Sequence, residues 1–212
     1  MNTPVFDEAF REKLQALIAW RRDVREFSTD AVPDGVFESL VATASLAPSV
    51  GLSQPWRFVL VEDPVRRAAV RDDFARCNAA ALAAQGEERA GLYARLKLAG
   101  FDQAPLQFAV FCDRETEQGH FLGRLTMPEM ADYSTVAAIH TLWLAARAQG
   151  LGLGWISILD PDIVVRALDV PKNWRFIGYF CIGYPAHEDD VPALERLAWE
   201  RRRVAGSFIL RR

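Results

Sequence analysis

Apolar residues first recur at helical spacing between Phe6 and Trp20, where Phe10, Leu14, Leu17 and Ile18 share one face. The pattern predicts a helix there and a second from Pro33 to Leu46. Pro33 suits a first turn, where its missing N–H is harmless, and Pro48 closes the helix. Trp56 to Glu62 (WRFVLVE) is a short β-rich run, and Asp63-Pro64 opens the next helix. That helix carries the most polar stretch, Arg66 to about Arg95, with Val70, Phe74, Ala81 and Leu82 one or two turns apart. Leu106 to Cys112 (LQFAVFC) is almost wholly apolar, the mark of a strand covered on both faces. Tyr133 to Gln149 is apolar or small around much of its circumference, through Val136, Ile139, His140, Leu142, Trp143 and Ala146. It reads as a buried central helix with Gly150 as its C-cap. A strand from Leu153 to Leu159, a helix from Asp160 to Leu168 and a strand from Arg175 to Gly183 follow. Alternating helices and strands argue for an α/β or α+β layered fold. The tail, Leu194 to Arg212, ends in SFILRR and is suited to reach onto a partner subunit.

Composition narrows the class. The chain has 212 residues, 50% hydrophobic and 25% charged, without a repeat or a linker, which suits one domain over 1–212. A formal net charge of -3 gives no general attraction to a phosphate backbone, so broad nucleic-acid binding is disfavoured. Cys77, Cys112 and Cys181 are odd in number and far apart, which fits free thiols in a reducing cytoplasm better than a disulfide framework. No apolar run reaches the roughly 18 residues of a membrane span, and MNTPVFDEAF lacks the marks of a signal peptide. His120, His140 and His187 have no partner at ligand spacing, so no metal is expected, and His140 reads as a core histidine.

Three segments carry candidate chemistry. Arg21-Arg22-Asp23-Val24-Arg25 follows directly on the first helix. Its three guanidinium groups suit phosphate oxygens, to which they donate paired hydrogen bonds, or else they simply complement a helix end. Ala47 to Trp56 (APSVGLSQPW) offers Ser49 and Gln54 as donors and acceptors for a planar heterocycle, or is an ordinary helix-to-strand connection. Gly150 to Trp155 (GLGLGW) comes after a helix and leads into a strand, the reverse of a dinucleotide fingerprint. Its glycines let backbone approach a ligand or a neighbouring chain, or only cap a helix before a buried strand.

In this order and spacing, an early Arg-Arg-x-x-Arg, then Ala-Pro-Ser with Gln-Pro-Trp, then Gly-x-Gly-x-Gly-Trp and a late Gly183-Tyr184-Pro185, the chain resembles the flavin-binding nitroreductase superfamily from about Trp20 to Trp199. Within it, the sequence looks most like the flavin-destroying branch used in cobalamin (vitamin B12) synthesis. Asp23 stands at the centre of RRDVR where ordinary nitroreductases usually have Ser. Leu52 replaces a frequent Asn in GLSQPW. Met127 to Ser134 reads MPEMADYS, and Ser157 follows Gly154-Trp155-Ile156.

The resemblance implies an α+β nitroreductase-like fold: a central, mainly antiparallel sheet flanked by helices, a long buried central helix and domain-swapped dimer tails (194–212). It implies a homodimer with FMN at the subunit interface. The reaction would be oxygen-dependent fragmentation of reduced FMN to 5,6-dimethylbenzimidazole and D-erythrose 4-phosphate, with a flavin reductase as partner. The rival is an NAD(P)H-dependent FMN nitroreductase or flavin reductase. Cofactor-binding residues would be Arg21, Arg22, Asp23, Val24, Arg25, Ser49, Gln54, Gly154, Trp155 and Arg201 or its neighbour Arg202. Asp23 and Ser157 would be catalytic, Asp23 ionised among its cations. The Gly154-Trp155 backbone would run beside the ring with its amides as donors. O2 chemistry must be shielded from water, and residues 77–101 are the candidate lid, with Tyr93, Leu96 and Leu98 facing inward.

Overall fold

Side chains alternate across the central strands, apart from a bulge at Ile177 where two of them pair, and each face of the sheet has its own core. The computed structural model describes residues 3–94 and 100–212. In chain order the elements are α1 (Glu8–Trp20), α2 (Val36–Ala44), β1 (Trp56–Leu60), α3 (Pro64–Ala83), α4 (Glu87–Tyr93), α5 (Gly100–Gln103), β2 (Leu106–Asp113), α6 (Met130–Ala148), β3 (Gly152–Ile156), α7 (Pro161–Leu168), β4 (Trp174–Gly183) and α8 (Ala193–Arg196). The four strands run in the order β1-β2-β4-β3, and each neighbouring pair is antiparallel. This is the α+β arrangement expected from the sequence.

On one face Phe108, Val110, Leu153, Phe180 and Ile182 pack with Phe37 and Leu40 of α2 and with Ala138, Ile139, Leu142 and Ala146 of α6. On the other face Ala109, Phe111, Ile156, Tyr179 and Cys181 pack with Val70 of α3, Phe101 of α5 and Val164 of α7. With helices on both sides, β2 is buried along nearly its whole length, as its unbroken apolar run predicts. Asp63 caps α3 by accepting the Val65 N–H at 2.8 Å, and Asp160 caps α7 likewise. Gly150, at φ +76, closes α6, with N–H bonds from Gly150 to Arg147 O and from Leu151 to Ala146 O.

Several expectations are corrected. The second helix starts at Val36, because Pro33 to Gly35 form a turn and Gly35 takes a left-handed conformation at its N-cap. β3 ends at Ile156 rather than Leu159. The apolar face of α1 is not covered by the protomer's core: Phe10, Leu14 and Ile18 remain exposed. His140 is not a core histidine. It is exposed, on the α6 face it shares with Tyr133 and Val136, since the buried stripe runs through Thr135, Ala138, Ile139, Leu142 and Trp143. The tail carries Val204, Phe208, Ile209 and Leu210 exposed. Leu96 and Leu98 of the expected lid lie outside the described residues. All three cysteines are free. Burial pushes the Cys112 thiol up to about 11 and that of Cys181 up to about 12, so both stay protonated. Among the described residues no helix is long and apolar enough to cross a membrane, and no cluster of metal-ligating side chains occurs.

Candidate active site

The RRDVR segment leaves α1 in an extended conformation and lies along the free edge of β3. Asp23 pairs with Leu153 in a parallel bridge, and the Val24 N–H donates to Leu153 O at 3.1 Å. The glycines of GLGLGW make this approach possible. A Cβ on Gly154 would sit 2.4 Å from Val24 O, and one on Gly152 would sit 2.6 Å from a Val24 methyl. The close neighbour that these glycines admit is therefore a segment of the same chain.

This docking sets the direction of each RRDVR side chain. The Trp155 main-chain N–H donates to Asp23 Oδ1 at 2.9 Å, and Arg25 stands 3.7 Å from Asp23 Oδ2. The Trp155 amide is thus engaged by Asp23, which corrects the expectation that it offers its proton to a ring. Arg21 lies over the Trp143 ring at 4.7 Å, and Trp143 donates its indole N–H to Arg22 O at 3.0 Å. Arg22 spends its own donors on the carbonyls of Arg21, Asp189 and Asp190.

Burial lowers the proton affinity of both Arg21 and Arg22; at Arg21 the charge of Asp23 opposes this and that of Arg202 adds to it, and at Arg22 the charges of Arg202 and Arg21 add to it against Asp190 and Asp189. The charges of Arg21, Arg22 and Arg202 act on one another, an arrangement that can take up a phosphate. Of the two C-terminal arginines considered, Arg202 is the one whose charge acts on Arg21 and Arg22. Asp23 departs from expectation: loss of hydration outweighs the Trp155 N–H and the charges of Arg25 and Arg21, so its carboxyl lies above the usual aspartate value although one side still reaches solvent. A carboxyl held this way can exchange a proton at higher pH than a free one.

A cavity of about 160 Å³ opens on Asp23 and Arg25 and is also lined by Ser157, Asn78, Tyr93 and Trp155. It brings together the two residues singled out as catalytic. Ser157 is exposed just beyond β3. Tyr93, from the expected lid, faces this cavity and donates its hydroxyl proton to Asn78 Oδ1 at 2.9 Å. The Tyr93 ring meets Trp199 edge-on, and Arg89 stacks on Trp199, so α4 leans on the C-terminal segment. Asn78 carries no signal in the sequence: it is one amide in an alanine-rich helix. A larger cavity of about 320 Å³ shares Asp23 and Arg25 with it, is also lined by Arg22 and Val24, and extends to His187 and Arg196.

Ser49 and Gln54 line neither cavity. They sit beside the start of α6, where Ser49 Oγ accepts the Gln54 N–H at 3.2 Å and the Gln54 amide donates to Ser45 O at 3.3 Å. The loop is pinned to α6 by Ser134, whose hydroxyl accepts the Val50 N–H at 3.0 Å. Two steps earlier in MPEMADYS, Asp132 accepts from Arg114 and stands 3.6 Å from Arg175. Part of that stretch therefore acts as scaffold. One protomer holds two groups of candidate residues in two separate places.

The family model described as the nitroreductase family matches residues 18–184. A 5,6-dimethylbenzimidazole synthase of Rhodospirillum rubrum is 60% identical over 94% of this chain and 95% of its own length. A protein of the same description from Rhodobacter capsulatus is 48% identical over 92% and 94%. A putative NAD(P)H nitroreductase of Bacillus subtilis is 28% identical over 86% and 88%. Among solved structures, oxidized iodotyrosine deiodinase bound to FMN and 3-iodo-L-tyrosine superposes with a TM-score of 0.74 at 23% identity, covering 93% of this chain and 97% of that one. A putative nitroreductase in complex with FMN from Desulfovibrio desulfuricans gives 0.65 at 22%, covering 94% and 96%. At such identity the two structures speak for the fold.

Proposed function

Because the chain belongs to the nitroreductase family, we propose that it is a 5,6-dimethylbenzimidazole synthase, which fragments reduced FMN with O2 and supplies the lower ligand of cobalamin. The observation that carries this reading in the geometry is Asp23 and Ser157 on one cavity, next to a crowd of arginines. An ordinary flavin reductase needs no carboxylate in that position. High identity to two synthases over nearly the whole chain supports the same choice over a general nitroreductase.

The residues present fit FMN. Arg21 and Arg202, with Arg22 and Arg25 around them, supply a seat for a doubly charged phosphate; Arg201 stands next in the chain. Reduced FMN supplies both the electrons that O2 takes up and the carbon skeleton of the product. Asp23, held by the Trp155 N–H with its second oxygen toward Arg25, accepts or returns a proton at Oδ2. The Ser157 hydroxyl would relay a proton across the cavity or hold the substrate there. Val24 and Gly154 keep Asp23 at its height on the sheet edge. The α4 segment, through Tyr93, excludes water.

A homodimer completes the site. Ser49 and Gln54 lie apart from the cavity of their own protomer, so they serve the partner's flavin. The exposed apolar face of α1, the Tyr133–Val136–His140 face of α6 and the C-terminal arm supply the apolar surface for that contact. A separate cytoplasmic reductase supplies reduced flavin. The test is to give the protein chemically reduced FMN and air and to analyse the products by mass spectrometry. 5,6-Dimethylbenzimidazole is the expected product; steady nicotinamide oxidation with intact FMN would place the protein with the reductases instead.

A further inference from the structure

Two loops face each other beside the start of α6. The first, 49–54, carries Ser49 and Gln54; the second, 114–124, follows β2. Their backbones touch. A Cβ on Gly119 would sit 2.4 Å from Gly51 O, and one on Gly51 would sit 2.9 Å from Gly119 O. Both glycines have positive φ, +82 and +58. Among the described residues six non-glycines share that conformation, and Leu52, Gln54, His120 and Phe121 are four of them. Strained backbone of this kind persists only where its surroundings over-determine it, and it gathers where groups must be held in one geometry.

One group that holds the first loop in this shape is Gln118, itself exposed. Its side-chain amide donates to Leu52 O at 2.8 Å and to Gln54 Oε1 at 3.0 Å. With its oxygen held by Gln118 and its nitrogen donating to Ser45 O, the Gln54 carboxamide has one orientation. Gln118 is fixed in turn by Arg124. That buried guanidinium donates to Arg114 O at 3.2 Å, Thr116 O at 2.7 Å and Gln118 O at 3.4 Å, and rests over the Phe121 ring. Burying an arginine on three carbonyls is unfavourable unless one loop shape is worth keeping.

We propose that Gln118 is a positioning residue for the flavin: it presets Leu52 and Gln54, and Arg124 holds Gln118 in place. The role rests on the flavin reading above and on loop 49–54 facing the ring. Gln118 itself need not touch the flavin.

The experiment compares wild type with Gln118→Ala, Gln118→Glu, Gln54→Ala and the Gln54→Ala/Gln118→Ala double variant. FMN binding is read by fluorescence quenching, the ring environment by visible circular dichroism of bound FMN, and folding by thermal melting. Gln118→Ala is expected to weaken FMN binding about tenfold and to change the visible spectrum, while remaining folded and melting within a few degrees of wild type. Gln118→Glu has the same reach but no N–H to give, so it should fail as Ala does. The double variant should lose clearly less than the product of the two single losses, because Gln118 works in part through Gln54 and in part through Leu52. Normal binding and an unchanged spectrum in Gln118→Ala, or losses that multiply in the double variant, would overturn the role while leaving the flavin reading intact. A wild-type protein that binds no FMN would overturn both.

Discussion

Asp23 and Trp155 are joined by a hydrogen bond of 2.9 Å, from the main-chain N–H of the tryptophan to one carboxylate oxygen. The bond crosses a parallel bridge between the RRDVR segment and β3, so a side chain with candidate chemistry is fixed by the sheet itself. One oxygen is committed to the scaffold and the other stays beside Arg25 and the cavity. That division between holding and reacting underlies the first two predictions.

Asp23→Asn keeps an oxygen to accept the Trp155 N–H and removes the acid. FMN binding should persist, and the yield of dimethylbenzimidazole from reduced FMN and air should fall by at least about a hundredfold, the usual reach of general acid–base catalysis. In wild type the rate should rise with pH along a limb whose midpoint lies above the ordinary aspartate value, since burial favours the neutral acid. That limb should vanish in the variant. The same shift has a sign for stability. The folded protein holds this proton more tightly than the unfolded chain, so the contribution of Asp23 is fully present below about pH 4. It declines as pH rises through the folded value. Melting curves against pH should show a smaller decline for Asp23→Asn.

Gly154→Ala tests whether the glycines serve the chain itself. The added methyl meets Val24 O, a backbone atom that has no rotamer to move away. A destabilisation of about 1–3 kcal/mol is expected, with a fall in melting temperature of roughly 2–4 °C per kcal/mol. FMN binding should fall with it, because Arg21 to Arg25 are displaced from the sheet edge together. Ala at Gly150, where the built Cβ meets nothing within 4 Å but φ is +76, should be strained without disturbing flavin binding.

The sequence made some of this legible and concealed the rest for physical reasons. β2 and α6 could be read because burial on both faces or around most of a helix leaves its mark on every residue. The apolar face of α1 was equally clear, yet periodicity reports which face is apolar and not what covers it. His140 misled for a similar reason: an apolar neighbourhood along the chain said nothing about the side of α6 it occupies. In RRDVR the cluster was visible but its division of labour was not. Arg22 is committed to carbonyls 167 and 168 residues away, and Arg202 comes from the far end of the chain. Loop 114–124 gave no signal at all, because its roles rest on backbone contacts and one buried arginine.

Asp132 supplies an acid-sensitive anchor. Burial alone would push its carboxyl up, but the hydrogen bonds and charge of Arg114, together with Arg175, outweigh this and hold it below the usual value. Its stabilising contribution is therefore present above the unfolded aspartate value and is lost as pH falls through the folded one. Asp132→Asn should lower stability at pH 7 by about 1 kcal/mol, a small figure because Arg114 is partly solvated. In strong acid the variant and wild type should melt alike; a difference that persists there would show that the ion pairs are not its cause.

Tyr93→Phe tests the lid. The change removes only the hydroxyl that donates to Asn78 and leaves the ring against Trp199. Stability should change by no more than about 1 kcal/mol, the net worth of one hydrogen bond. If α4 keeps water from the flavin while O2 reacts, loosening it should raise hydrogen peroxide formed per flavin consumed and lower dimethylbenzimidazole. Trp199→Ala, which frees both Tyr93 and Arg89, should shift the balance further in the same direction. Peroxide assay and mass spectrometry on the same reaction give the ratio directly. A ratio equal to wild type in both variants would remove α4 from the chemistry and leave it a structural cover for α3.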